Sequence, residues 1–294
     1  MTIMIKKIGY SLVKSVLNLL LSVIFICVLL ALIPDITADN YALRFKSYFI
    51  TAVTFNYDIS LARGFYISEL VIDASQKTFL LIFVTLITVI MISLVIIILE
   101  SLFNQNYILQ IIVTVIKTIS TLPVLIWASL LIFFAFIIWN AVPVYADLES
   151  DSLWIKTLVI ALPVISLSLG DGMLMDFYLK IKNELSSLNQ QQWVKSLRAR
   201  GISTLKHKIR SLIVPIFNLV SSKITYLISG SIIVEYIFSW QGLGFLIWQV
   251  LMTPGAKDYP LLLACCKVLL ITVIIISLIR DYIDFTLNPH LIEK

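Results

Sequence analysis

The chain has 294 residues, 60% of them hydrophobic and 13% charged, with a mean hydropathy of +1.01. A soluble domain is roughly 45–50% apolar and about 25% charged, so no soluble core could hide this surplus and the chain reads as an integral membrane protein. The net charge of +5 fits basic loops on one side of a bilayer better than nucleic-acid binding, and Cys27, Cys265 and Cys266, all in apolar runs, exclude a disulfide scaffold.

Six apolar runs are long enough to span, at about 20 residues each: 11–32, 78–99, 118–141, 155–175, 212–234 and 261–283. Their solid Leu/Ile/Val blocks predict helices, since a membrane barrel shows short alternating segments. Lys6 and Lys7 precede the first run as in a signal peptide. That run is longer than the ~7–15 residues of a signal sequence, and no A-x-A-like site follows Leu32, so a retained first helix is expected. The stretch 34–77 has room for one or two short amphipathic helices. Pro123 and Pro163 predict kinks in spans three and four. With no internal repeat or soluble segment, 1–294 reads as one all-α transmembrane domain.

Orientation follows from lysine and arginine near the span ends. Six spans put the N-terminus, the 100–117 and 176–211 loops and the C-terminus on one side. That side holds Lys6, Lys7, Lys14, Lys117, Lys180, Lys182, Lys195, Arg198, Arg200, Lys206, Lys208 and Arg210. The other side carries Asp35, Asp39, Asp58, Glu69, Asp73, Asp147, Glu149 and Asp151. Both termini are therefore expected in the cytoplasm.

The segment 183–215 is the longest loop on the side expected to be cytoplasmic and the most basic part of the chain. Leu185, Leu188, Trp193 and Leu197 recur at helical spacing and predict one helix with an apolar stripe. Gly201 reads as its end and Ser203 as the N-cap of a second short helix running into span five. This pattern fits either a helix–turn–helix projecting into the cytoplasm or a basic loop lying on anionic lipid.

Ionisable residues inside spans are costly and face a cavity or a partner. Asp171 and Asp176 in span four are five apart, about 140° around a helix, and so cannot share one narrow pore. Asp171 is a candidate for lining a pathway or for helix–helix pairing. Lys223 and Lys267 are expected to snorkel or to pair with acids on neighbouring helices. No metal constellation is expected: His207 and His290 are far apart in sequence, and Cys265 and Cys266 point about 100° apart. Asp147, Glu149 and Asp151 form a solvated cluster without a base. Trp127, Trp139, Trp154, Trp240 and Trp248 read as interface anchors or packing.

The run Trp193-Val194-Lys195-Ser196-Leu197-Arg198-Ala199-Arg200-Gly201 resembles the "Y-V-R-T-A-R-A-K-G" form of the EAA motif of ABC importer permeases of the oligopeptide/dipeptide/nickel family. The run from Gly230 through Glu235, Trp240 and Gly242 to Gly244 resembles that family's "G-G-x-V-V-E-x-x-F-x-x-P-G-L-G". Asp258-Tyr259-Pro260 is similar to its "D-Y-P", Asn288-Pro289 to its closing "D-P-[KR]", and Tyr57-Asp58-Ile59-Ser60 with Gly64 to its "D-x-G-x-S…G". The likeness is greatest to the first of the two permease subunits. The chain departs from the pattern in a shorter interval from Gly201 to Pro215, in Gln241 where proline is usual, in residues 253–257, which look inserted, and in an abbreviated Ile33-Pro34-Asp35.

The resemblance implies a type I importer permease of six spans in a bacterial plasma (inner) membrane. Its partners would be a second permease subunit, two cytoplasmic ATPase subunits, an extracytoplasmic substrate-binding protein and membrane lipid, with no nucleic acid. It further implies that Trp193, Arg198, Ala199, Arg200, Gly201 and Pro215 belong to the loop that docks on the ATPase. Ala199 keeps that knob slim, while Arg198 and Arg200 can pair with acids on the rim of a groove. Asp171, Glu235, Trp240, Gly242, Gly244 and Asp258 are the candidates for pathway or outer gate. The 235–260 segment suits a re-entrant turn. No G-x-x-x-x-G-K-[ST] loop is present, so this chain is expected to bind no cofactor and perform no hydrolysis, with ATP and Mg on the partner ATPase. Peptides, nickel or a metal chelate are the implied substrates. The competing reading is a non-transporting assembly factor or a membrane-embedded enzyme, which should show clustered reactive groups near one interface.

Overall fold

The structure, a computed structural model, describes residues 2–32, 40–54, 57, 60, 64–103, 107–139, 144, 145, 148, 152–252 and 258–287. Asp35, Asp39, Asp58, Ile59, Asp147, Glu149 and Asp151, the 253–257 segment, Ile33-Pro34, Asn288-Pro289 and His290 lie outside the described residues. Within them the regular elements are helices: α1 (Thr2–Leu32), α2 (Tyr41–Thr54), α3 (Ile67–Leu102), α4 (Tyr107–Ile119), α5 (Val124–Trp139), α6 (Leu153–Leu169), α7 (Met173–Gln190), α8 (Gln192–Ala199), α9 (Leu205–Ile237), α10 (Leu243–Met252) and α11 (Tyr259–Leu287). A short 3-10 turn, Gly170–Gly172, joins α6 to α7.

Five helical stretches are long and apolar enough to cross a bilayer, and α4 with α5 makes a sixth if that bent pair is one span. Helix α3, with 36 residues, is about 54 Å long at 1.5 Å per residue, well beyond a hydrocarbon core of about 30 Å. Several helices therefore continue past the apolar layer, and residues read from hydropathy as loop are helical. Residues 107–119 of the expected 100–117 loop form α4, and most of the expected 176–211 loop is taken up by α7, α8 and the start of α9.

Pro123 marks a sharp break. It ends the turn after α4, and α4 and α5 meet there at 105°. Proline's missing N–H is harmless at a helix start, where the Pro123 carbonyl accepts from Ile126 and Trp127 at 3.0 and 3.3 Å. Pro163 lies inside α6, and that helix breaks further along, at Gly170.

The described chain groups into two compact units. In the unit made of Met1–Phe79 and Ser239–Lys294, α1 packs on α2 and α11, and α10 packs on α11. Small side chains line its core: Cys27, Ala31, Ala52 and Cys265. In the unit Leu80–Phe238, α5 and α6 pack together, and α9 lies against α5, α6 and α7. Ala128, Ala135 and Gly170 are buried here, as expected where helices approach closely without large side chains.

Candidate functional site

The segment resembling the EAA motif folds as a capped knob. Gln191 adopts an extended conformation (φ −65°, ψ 142°) and divides the expected single amphipathic helix into α7 and α8. Helix α8 buries Val194 completely, while Trp193 and Leu197 are half-buried. Its end is a Schellman motif: the Gly201 N–H donates to the Arg198 carbonyl and the Ile202 N–H to the Leu197 carbonyl, each at 3.0 Å. That geometry needs a left-handed residue, and Gly201 has φ +70°. A Cβ at Gly201 would meet nothing within 4 Å, so the position needs glycine for its conformation and not for space. Thr204, not Ser203, precedes α9, and it makes no side-chain cap.

Ala199, Arg200 and Gly201 are exposed at the tip. Arg198 donates to Asn189 Oδ1 at 2.9 Å, and Lys208 donates to the same oxygen at 2.6 Å. One amide at the end of α7 thus gathers a cation from α8 and another from α9. The Trp193 ring meets His207 edge-on at 6.5 Å, and its indole N–H donates to Gln191. Of the two arginines, Arg198 is committed within the chain and Arg200 faces outward. Pro215 sits inside α9, about ten residues past its start, and not in the knob.

Asp171 falls within the apolar stretch Leu153–Gln190 but on neither of its two α-helices. It lies in the turn between α6 and α7 with φ 53°, so helical spacing to Asp176 does not apply. Asp171 is exposed and borders a recess that Lys223, Tyr226 and Gly230 also line. Asp176 of α7 forms an ion pair with Lys223 of α9, and the Lys223 ammonium lies 5.1 Å from the Tyr226 ring centroid. Further along α7, Tyr178 donates to Glu100 at 2.7 Å, and Lys182 reaches both Glu100 and the Tyr178 oxygen, at 2.8 and 2.7 Å. Charged groups on α3, α7 and α9 are thus partnered within the fold. Glu235, near the end of α9, is fully buried.

In the other unit, Trp240, Gly242, Gly244 and Asp258 are all buried. The Trp240 indole N–H donates to the Lys77 carbonyl at 3.1 Å, and the Thr78 hydroxyl accepts the Leu243 N–H at 2.8 Å, capping α10. Asp258 is the N-cap of α11, with Oδ1 accepting from Leu261 at 3.3 Å, and Pro260 occupies the first turn, where no N–H is needed. The other carboxylate oxygen accepts from the buried Ser60 hydroxyl. The "D-Y-P" run is thus a helix start, and together these bonds form a clasp. Behind it Lys267 donates to the Ala52 carbonyl near the end of α2, where a cation suits the helix dipole. Burial pushes the nearby Tyr57 phenol up to about 12, so it stays neutral.

Gln191, Asn189 and Glu100 were missed in the sequence. Each acts through a partner remote in the chain or through backbone conformation, and none carries a local pattern. The signal that could have found Asn189 is its place between two basic helices.

Residues 105–292 match the family described as binding-protein-dependent transport system inner membrane component. The metal-staphylopine import system permease protein CntB of Staphylococcus aureus is 22% identical over 87% of this chain and 79% of its own length. A protein of Brucella ovis named as a peptide permease is 30% identical over 45% of this chain. The chain spans 41% of that Brucella protein's length. The glutathione transport system permease protein GsiC of Salmonella typhimurium is 30% identical over 35% of this chain and 34% of its own. With the family match covering well over half its length, this chain belongs to the inner-membrane permeases of binding-protein-dependent ABC importers.

Proposed function

We propose that this chain works as a single six-span permease domain, forming half of the translocation pathway of an ATP-driven, binding-protein-dependent importer. The carrying observation is the knob: a short helix closed by a glycine Schellman motif, slim at Ala199, with Arg200 exposed beside it. Such a shape suits a groove on another protein. Its partners are a second permease subunit, two cytoplasmic ATPase subunits that bind ATP and Mg, an extracytoplasmic substrate-binding protein and the surrounding lipid. Both termini and the knob lie on the cytoplasmic side, as the lysine and arginine distribution favours. ATP hydrolysis belongs to the partner ATPase, in keeping with the lack of a phosphate-binding loop motif in this sequence. The relatives' names favour a peptide or a metal chelate as cargo, and nickel would cross in chelated form. Asp171 lines the pathway, and the 235–260 segment closes its outer end.

Gly201→Val tests the coupling role. A β-branched side chain resists the left-handed conformation by roughly 1–2 kcal/mol, so the Schellman bonds open while span packing is untouched. The variant should insert and pair with the second permease but lose co-purification of the ATPase subunit, or lose coupling of hydrolysis to uptake. Normal hydrolysis-coupled transport would sink the assignment. A loop that merely lies on lipid predicts a silent Gly201→Val and weaker membrane attachment for Arg198→Gln with Arg200→Gln.

A further inference from the structure

Helix α4 carries a pattern that neither the knob nor the clasp uses. Its isoleucines and valines from Ile108 to Ile119 cover about 200° of its surface, and Gln110, Thr114, Lys117 and Thr118 share the remaining side. Thr114 and Thr118 donate their hydroxyl protons to the carbonyls of Gln110 and Thr114, at 2.8 and 3.1 Å, so those protons are satisfied within the helix. Ile108, Ile111, Ile112, Val115 and Ile119 are nonetheless 38–67% exposed. Among the described residues no helix packs broadly against α4.

The bend at Pro123 bears on what covers this stripe. Helix α4 stands at 105° to α5. With α5 crossing the bilayer, α4 runs close to the membrane plane and adds nothing to the crossing. Its polar side then meets water and its apolar side acyl chains. Two residues mark the level. Trp127, in the first turn of α5, donates its indole N–H to the Ile119 carbonyl at 3.3 Å, and indoles favour the headgroup region. Lys117, exposed in the last turn of α4, suits both the helix dipole and lipid phosphate. A protein partner fits the stripe less well. Helices that pack in membranes meet through small side chains, as α5 does with Ala128 and Ala135. The exposed stripe of α4 holds only isoleucine and valine, with no small residue and no Trp, Tyr or Arg anchor.

We propose that α4 is an interfacial anchor, lying in the cytoplasmic leaflet with its Ile/Val stripe among acyl chains and Lys117 at the headgroups, and that α5 alone makes the crossing. The anchor takes its side of the membrane from the proposed topology and does not depend on the role of the knob. It is tied into the fold at the foot of α7. The Asp171 N–H donates to the Leu122 carbonyl at 3.0 Å, and the Gly172 N–H to the Ser120 carbonyl at 2.6 Å. The contact is tight, since a Cβ on Gly170 would fall 2.7 Å from Val124 Cα. Lipid contact at α4 therefore sets the depth at which α7 begins.

The test uses the full chain in its complex with the partner permease and ATPase subunits, in vesicles of phosphatidylethanolamine and phosphatidylglycerol. Cys27, Cys265 and Cys266 are replaced by alanine, and a nitroxide label is attached singly to Ile108→Cys, Ile112→Cys, Ile119→Cys or Thr114→Cys. Power saturation with oxygen and with a water-soluble nickel chelate reads the depth of each label. The three stripe positions should share one depth, about 5–10 Å below the headgroups, with Thr114→Cys at or above them. A helix that continued the span would instead separate Ile108→Cys from Ile119→Cys by about 16 Å. That separation, or access of the nickel chelate to both faces, overturns the anchor. Shielding of the stripe from both reagents overturns it too, because a protein then covers the helix. The depth reads the same in either leaflet, so a reversed orientation of the chain would leave the anchor standing and sink only the topology. Should the cysteine-free chain fail to insert, a benzophenone amino acid in place of Ile112 in the parent chain decides the same point. Photo-adducts with lipid support the anchor, and adducts with the partner permease overturn it.

Discussion

The knob at 192–202 and the clasp formed by 239–243 with Asp258 both lie in runs that resemble one family's motifs, yet they hold their shapes by opposite means. In the knob the tip is exposed and its form is set by main-chain bonds around a left-handed Gly201. In the clasp Trp240 and Asp258 are about 1% exposed, and side chains make the bonds, to Lys77, Ser60 and Leu261. An exposed tip is open to another protein. A buried indole and carboxylate are already spent on folding. Substitutions in the two regions should therefore separate, with the clasp governing stability and the knob governing partner-dependent activity.

The largest expected effect is at Trp240. Trp240→Ala removes a fully packed ring and its indole bond to the Lys77 carbonyl, a loss of about 3–5 kcal/mol for an aromatic-to-alanine change in a core. The thermal midpoint of the purified protein should fall sharply, and membrane yield with it. A midpoint unchanged from the parent would mean that the clasp is not a structural element, and the contrast with the knob would collapse.

Asp258 sharpens the comparison at a smaller scale. Asp258→Ala loses both the α11 cap and the Ser60 bond, at a cost of about 1–2 kcal/mol. Ser60→Ala loses only the second. Because one carboxylate serves both partners, the double variant should be little worse than Asp258→Ala alone, a non-additivity measurable in thermal unfolding. Additive losses would show that the Ser60 hydroxyl acts elsewhere.

Much of this architecture is legible in the sequence, and what is not fails for definite reasons. Apolar runs expose the spans because burying about 20 apolar residues admits few alternatives. Gly201 is legible because a helix end needs a left-handed residue, and glycine after a basic turn is its usual form. The break at Gly170–Gly172 is not, since Gly-Asp-Gly sits inside an apolar run that hydropathy averages over. Counting Asp171 and Asp176 along one ideal helix consequently gave a wrong geometry. The division at Gln191 also escapes, because glutamine is a good helix former and only its backbone conformation separates α7 from α8. Lys223 was expected to snorkel or find an acid, and it finds Asp176. The Ser60–Asp258 bond spans 198 residues, a separation at which no local pattern can signal a partner.

The smallest stability change, and the finest test of the knob, lies in its two arginines. Arg198 is tied to Asn189 at 2.9 Å, whereas Arg200 is exposed beside Gly201. Arg200→Gln should leave the unfolding midpoint within about 0.5 kcal/mol of the parent, as for surface changes away from packed features. Arg198→Gln should cost about 0.5–1.5 kcal/mol through its hydrogen bond. Binding of the ATPase subunit should rank the other way at Arg200: its loss removes a charge from the presented surface, so affinity falls and depends less steeply on salt. Equal effects of the two on stability and on ATPase association would mean that both arginines serve the fold and that the docking surface lies elsewhere on α8. A selective loss of association at Arg200 would fix the orientation of the knob, with its Gly201 tip and Arg200 edge turned toward the ATPase and its Asn189 side turned back toward α7 and α9.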